Sequence, residues 1–284
     1  MKTVSLGKTA CLYVLVVLFL LQGCAQRPPR VKVAPTFVTP MQVADLVRYS
    51  ELEWVRWGKR VVYATPGTPL CLSQADGSCV KVADGCGDEQ AEALCPVVHS
   101  YWADVLNGRT RHSCGLVDVC SVSWPAGEMR RPEDTKAWSA AFVSSMLKRA
   151  NFSSSEFWPS ANHAAYIAAS RDGYTSAFEA VPTPARPQVG DIICASRGQN
   201  RLTPRQIGLI GYDGPGMHCD IVVEVDSQTR MLHAIGGNVQ QTVARTLVPL
   251  DAQGLLQFSE FSERPWILIL RARRSNTTQS VNPL

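Results

Sequence analysis

Ser139, His218 and Asn238 carry the groups of an acyl-transfer site, and they follow one another along the chain in a usable order. Ser139 lies in Ala137-Trp138-Ser139-Ala140-Ala141-Phe142-Val143. That is the first turn of an expected helix, where a side chain faces a groove and feels the positive end of the peptide dipoles. His218 opens the run His218-Cys219-Asp220-Ile221-Val222-Val223-Glu224, which reads as a strand. Asn238 closes Ile235-Gly236-Gly237-Asn238 at the end of the next strand. A hydroxyl, an imidazole and a polar group that orients the imidazole are the parts of a covalent hydrolase. A serine hydroxyl has no thiolate-like form near neutrality, so Ser139 depends on a well-oriented base and on donors for an oxyanion. Asp220, two residues past His218 and so on the same strand face, is the alternative to Asn238 as the group that holds the ring. His163 begins an apolar helix in Ala161-Asn162-His163-Ala164-Ala165-Tyr166, and with Trp138 it is expected to line the groove and contact substrate. His233 reads as structural, and His99 and His112 carry no recognisable pattern.

The elements that must position these groups follow from periodicity. A helix is expected from Met41, with Val43, Leu46, Val47, Leu52, Trp54 and Val55 on one face. The nucleophile helix runs from about Lys136 to Arg149 with Asp134 or Thr135 as its cap, and another runs from Pro159-Ser160 to Ala169. Pro182, Pro184 and Pro187 then end helical structure. Strands are expected at Ile192 to Ala195, Ile207 to Tyr212, Cys219 to Asp226, Met231 to Ile235, Thr242 to Val248 and Trp266 to Arg271. Helices followed by antiparallel strands make an α+β domain. Period-two alternation puts Cys219, Ile221, Val223 and Val225 opposite His218, which leaves Cys219 free to pair with Cys194.

Taken as an ordered set, Trp138-Ser139-Ala140-Ala141-Phe142, Gly190-Asp191-Ile192, the His218 strand and Gly236-Gly237-Asn238 resemble the NlpC and CHAP amidase superfamily. More narrowly, they resemble a bacterial family of uncharacterised domains with serine at the nucleophile position. The resemblance implies a papain-like α+β domain over about 41–272, with N-terminal helices packed on an antiparallel sheet and a cysteine-rich insertion at about 65–120 outside the shared core. It also implies cleavage of amide bonds in peptidoglycan peptides, with Ser139 as nucleophile, His218 as base and Asn238 in the orienting position. The alternative is a lapsed enzyme that binds the same peptides without turnover and acts as an adaptor. No cofactor or metal is called for.

The N-terminus sets the expected compartment. Lys2 and Lys8 precede an apolar run from Ala10 to Leu21, too short for a permanent span, which needs about 20 residues. Leu21-Gln22-Gly23-Cys24 resembles the lipobox of bacterial lipoproteins, which implies removal of residues 1–23 and acylation of Cys24. No aspartate directly follows Cys24, which in lipoprotein sorting implies the periplasmic face of the outer membrane. Residues 24–40 hold Pro28, Pro29, Pro35 and Pro40 and read as a tether, and 273–284 as a polar tail. The chain has 28 basic and 24 acidic residues, and Lys2 and Lys8 leave with the signal, so nucleic acid is not an expected partner. Cys71, Cys79, Cys86, Cys95, Cys114 and Cys120 crowd one segment, Cys194 and Cys219 lie in the expected sheet, and an oxidising compartment makes these disulfides. Zinc is the competing reading of the crowded segment, disfavoured by the lack of any CxxC pair. That segment either borders the groove or is surface elaboration.

Overall fold

The computed structural model describes residues 31–82, 86–114, 136–199 and 201–275. The signal, Cys24, Cys120, Asp134, Thr135 and the tail from 276 onward lie outside them. In the described part, four α-helices pack on one large mixed sheet, an α+β architecture. The helices are α1 (Pro40–Arg56), α2 (Cys95–Val105), α3 (Ser139–Arg149) and α4 (His163–Arg171). The strands are β1 (Arg60–Tyr63), β2 (Leu72–Ser73), β3 (Cys79–Val80), β4 (Phe178–Pro182), β5 (Ile192–Ser196), β6 (Met217–Asp226), β7 (Met231–Val239), β8 (Thr242–Pro249) and β9 (Trp266–Ala272). Their order across the sheet is β3-β2-β1-β8-β7-β6-β5-β9-β4.

Every strand pair is antiparallel except β1 with β8, which run parallel with Val62 beside Thr246. The expectation of an all-antiparallel sheet is corrected at that edge. The short β1, directly after α1, was hidden in sequence because four residues give too little alternation to read. Strand β4 was also unforeseen. It lies at the sheet edge and pairs only with β9, and Pro182, opposite Leu268, is its last residue, an edge-strand position where a missing N–H is tolerated. The strand expected at Ile207 to Tyr212 is instead a 3-10 turn, Pro204–Leu209. Thr203 and Gln206 form a reciprocal capping box and Pro204 presets the first turn, which outweighs the local apolar residues.

Helix starts differ from the expected ones by a few residues, and the difference bears on the site. Helix α3 begins at Ser139 itself, with Trp138 as its N-cap residue and no side-chain cap bond. Helix α4 begins at His163, because the Asn162 side chain accepts the Ala164 N–H, a better cap than anything at Pro159-Ser160. The chain leading into α1 is sewn down by three backbone bonds: Val33 N–H to Gly173, Thr36 N–H to Ser176 and Val38 N–H to Arg273, at 2.9, 3.1 and 2.8 Å. Thr39 and Gln42 then form a capping box for α1.

Two apolar layers sandwich the sheet. The helix-side core joins Leu46, Trp57, Val98, Tyr101, Phe142, Met146 and Leu147 to Cys194, Cys219, Ile221 and Leu268. The opposite layer holds Val62, Ile193, Val222, Leu232, Ala234 and Ile269 under the loops carrying Leu70 and Leu256. Neighbouring residues of β6 therefore face opposite layers, and Cys219 bonds Cys194 directly across the β5–β6 ladder on the helix side. Cys71 pairs with Cys79 and Cys95 with Cys114, and Cys86 is also disulfide-bonded.

The cysteine-rich segment is more than surface elaboration, because α2 lies within it and supplies core. Tyr101 is fully buried, stacks on Trp138 at 5.7 Å and donates its hydroxyl to Glu53 of α1 at 2.6 Å. Arg149 of α3 binds the same carboxylate at 2.8 Å, so one buried acid ties three helices together. Trp57 completes the cluster, stacked on Trp138 at 5.3 Å and donating to the Tyr101 hydroxyl at 3.1 Å. The position of Ser139 is thereby fixed from behind by an aromatic wall.

Candidate active site

Helix α3 presents Ser139 at its first residue, 3% exposed. Its hydroxyl lies 2.6 Å from Nε2 of His163, the first residue of α4. The other nitrogen of His163, Nδ1, meets the phenol of Tyr166 one turn along the same helix. With Ser139 donating to Nε2, the ring proton sits on Nδ1 and points to the Tyr166 oxygen. Burial, and then the neighbouring His218, push the His163 pKa well below the ordinary imidazole range, so the ring is neutral at physiological pH. Burial likewise holds the Tyr166 phenol protonated, well above its usual range.

A second imidazole stands beside the first, with the His218 and His163 ring centres 5.6 Å apart. Nε2 of His218 lies 2.7 Å from Asp220 Oδ1. The other carboxylate oxygen of Asp220 accepts from the Thr246 hydroxyl at 2.9 Å and from Arg264 Nη1 at 3.1 Å. None of these groups is more than slightly exposed. Burial works against ionising Asp220, but the His218 ring and the Arg264 guanidinium outweigh it and hold the carboxyl down to about 2. Burial lowers Arg264 to about 10, still charged, and burial with the Arg264 charge lowers His218 to about 4. At neutral pH the ionised pair is therefore Asp220 with Arg264, and His218 is a neutral ring donating Nε2–H to the carboxylate. Its Nδ1 is left as a bare, buried lone pair with no hydrogen-bond partner among the described residues.

The glycines of Gly236-Gly237-Asn238 make room for this arrangement. A Cβ on Gly236 would fall 1.7 Å from Asp220 Oδ1, and one on Gly237 would fall 2.5 Å from Phe142 and 2.6 Å from the Trp138 ring. Strand β7 can thus pass between the carboxylate on one face and the start of α3 on the other only where both side chains are missing. Asn238 follows in the left-handed region, φ +55°, at the β7–β8 register shift. Its side-chain oxygen is buried without a hydrogen-bond partner, and no bond joins it to His218 among the described residues. The residue in contact with the ring is Asp220, so of the two orienting groups expected, Asn238 is the one the geometry does not bring to His218.

Trp138, expected to meet substrate, is wholly buried between Trp57 and Tyr101, and its indole N–H donates to Glu89 at 2.5 Å. It supports the Ser139 turn from the core side. His163, expected only to line the groove, is the residue bonded to Ser139. Tyr166, Thr246 and Arg264 were missed by sequence reasoning. The first has a signal, since i to i+3 on a helix places it over His163, whereas the other two arrive from β8 and the approach to β9 with no local pattern.

Asp191, in the Gly190-Asp191-Ile192 motif, plays a structural part. Its carboxylate accepts the backbone N–H groups of Gln188 and Ala272 at 2.9 and 3.0 Å, and burial raises its pKa to about 6. Away from the serine, Cys95, His99 and Cys114 bring one donor atom each within 4.8 Å of one another. Because Cys95 and Cys114 are bonded together, neither offers a thiolate to a metal.

No curated protein and no solved structure matches this chain. One family model does, over residues 89–272, a span that begins after α1, takes in α2 and so part of the cysteine-rich segment, and covers both histidines, Ser139, Asp220 and Arg264. By that match across more than half of its length, the chain belongs to the bacterial family described as "Uncharacterized protein conserved in bacteria (DUF2272)".

Proposed function

We propose that this is a lipid-anchored protein of the bacterial envelope with a papain-like cleft, in which Ser139 attacks amide bonds of peptidoglycan peptides. The observation that carries the reading is the meeting of Ser139, at the start of α3, with a neutral imidazole at 2.6 Å, beside a second imidazole braced by a buried carboxylate. A neutral ring is the competent form of a general base, and both rings stay neutral well below pH 7. The oxyanion formed on attack lies at the positive end of α3, whose first N–H groups have no partners within the helix. The acyl group passes to Ser139 Oγ, the amine leaves with the serine proton, and water then frees the acid. Anchoring through Cys24 would hold this chemistry at the outer membrane, facing the cell wall.

A second reading, a binding module that has lost turnover, is favoured by the closure of the site, since Ser139 is 3% exposed and His218 is 0% exposed. The deciding experiment is mass spectrometry of purified sacculi incubated with the chain from residue 25 onward, beside Ser139→Ala. New muropeptides from the wild type alone establish the amidase and identify the bond. Sacculus pelleting by both proteins without products establishes the binding module, and neither products nor pelleting removes peptidoglycan from consideration.

A further inference from the structure

The two histidines stand in different relations to Ser139, and the difference assigns them different work. His163 is already engaged, with Nε2 against the serine hydroxyl at 2.6 Å and Nδ1 against the Tyr166 phenol. His218 is engaged on one side only, through Nε2 to Asp220 at 2.7 Å, and its Nδ1 has no partner among the described residues. The hydroxyl therefore faces one base, while a second base, with a free lone pair, waits 5.6 Å away ring to ring. Their supports differ as well. Asp220 is an ionised carboxylate and stabilises an imidazolium, whereas Tyr166 is a neutral phenol that orients a ring without compensating a charge. A proton passing through His218 meets a ring hydrogen-bonded to an anion, although burial and Arg264 keep that ring neutral at rest, whereas one passing through His163 meets only a neutral phenol.

Resting on the serine-hydrolase reading above, we propose that His163, oriented by Tyr166, is a second catalytic histidine that takes the Ser139 proton during attack, while His218 with Asp220 activates the water that clears the acyl group. In the first half-reaction the Oγ–C bond forms and the C–N bond breaks. The serine proton moves to His163 Nε2 and then to the departing amine. In the second, a water oxygen bonds the acyl carbon, its proton goes to His218 Nδ1, and the C–Oγ bond breaks. Oγ recovers that proton, so the enzyme returns to its starting state with acid and amine released. Tyr166 bonds the far nitrogen of His163, acts through that ring and is a positioning residue.

A fluorophosphonate probe isolates the first half. The Oγ–P bond forms, fluoride leaves, the serine proton goes to the base, and no water step follows. The full chain is incubated with the probe, with Ser139→Ala as control, and the modified peptide is quantified by mass spectrometry. The expected result is labelling of wild type at Ser139, about 100-fold slower labelling in His163→Gln, the usual contribution of a general base, and labelling of His218→Gln near the wild-type rate. His218→Gln, given an activated ester in place of the probe, accumulates the acyl-enzyme. Equal labelling of His163→Gln and wild type, with loss in His218→Gln, overturns the division of labour and leaves the serine hydrolase standing. No labelling of wild type overturns both. Should His163→Gln fail to fold, Tyr166→Phe decides: a slower rate with a shifted pH midpoint supports the proposal, and an unchanged rate and profile refutes it.

Discussion

Ser139, His163 and Tyr166 come from the starts of two helices and are joined by hydrogen bonds between neutral groups. His218, Asp220, Thr246 and Arg264 come from two sheet strands and the approach to a third, and are joined around an ion pair sealed from solvent. The helix-borne half is inexpensive to alter, because losing a partner there strands one neutral polar atom. In the strand-borne half, removing Asp220 or Arg264 leaves the other's charge in the interior, and a buried charge without compensation is among the costliest things a fold can hold. The same site thus joins an adjustable serine–histidine pair to a rigid histidine–carboxylate group.

The sharpest way to break this contrast is Asp220→Ala, which leaves Arg264 unpaired and His218 without its brace. It is expected to destabilise the protein by about 3–5 kcal/mol, read as a shift in the urea midpoint at unchanged slope. A loss under 1 kcal/mol would mean the pair is far better hydrated than its burial implies. Gly236→Ala attacks the same half sterically, since its Cβ would fall 1.7 Å from Asp220 Oδ1. Overpacking of this kind costs about 1–3 kcal/mol, and thermal denaturation of the variant measures it. A neutral outcome would show that β7 has slack beside the carboxylate.

Titration separates the halves more gently. His163 and His218 both have folded pKa values below the unfolded value of about 6.5. Between the folded pKa and 6.5 the unfolded chain binds protons the folded chain refuses, so stability is full above 6.5 and declines as pH falls. Asp191, raised to about 6, works in the opposite sense, since it gains stability as pH falls through 6, so the informative quantity is a difference of slopes. His163→Gln should lose part of the decline between pH 6.5 and 5, about 1.4 kcal/mol for each pH unit that one histidine contributes. Urea midpoints in wild type and variant across that range give the comparison, and identical slopes would place the proton uptake elsewhere. The smallest effect belongs to Ser139→Ala, which removes one hydroxyl from the helix half and should cost about 1 kcal/mol in melting experiments while abolishing any labelling.

What could be read along the chain, and what could not, divides along the same line. Ser139 at a helix start and His218 with Asp220 on one strand face follow from spacings of one turn and two residues, which periodicity reports directly. The Cys194–Cys219 bridge was legible for the same reason, as the opposite face of that strand. Tyr166 was legible in principle, at i+3 from His163, but nothing local says that α4 is brought against α3, so the serine's partner was misjudged. Thr246 and Arg264 were illegible, since each reaches Asp220 from an element whose own pattern reports only that it is a strand or a turn. Glycines 236 and 237 stood out as a motif and turned out to be clearance, a property of what passes beside them. The 3-10 turn at Pro204–Leu209 was misread because its apolar residues were weighed above its cap.

The clasp at the domain's edge has a topological consequence. Val38 donates to the carbonyl of Arg273 at 2.8 Å, so the strand of chain entering the fold and the one leaving it lie side by side. Neighbouring ends are the condition under which a chain tolerates being closed into a ring and reopened elsewhere. A short bridge between these two points, with new ends cut in the exposed turn at Asp226–Arg230 between β6 and β7, would yield a circular permutant with the same sheet order, in which attachment at either end holds the domain from one corner.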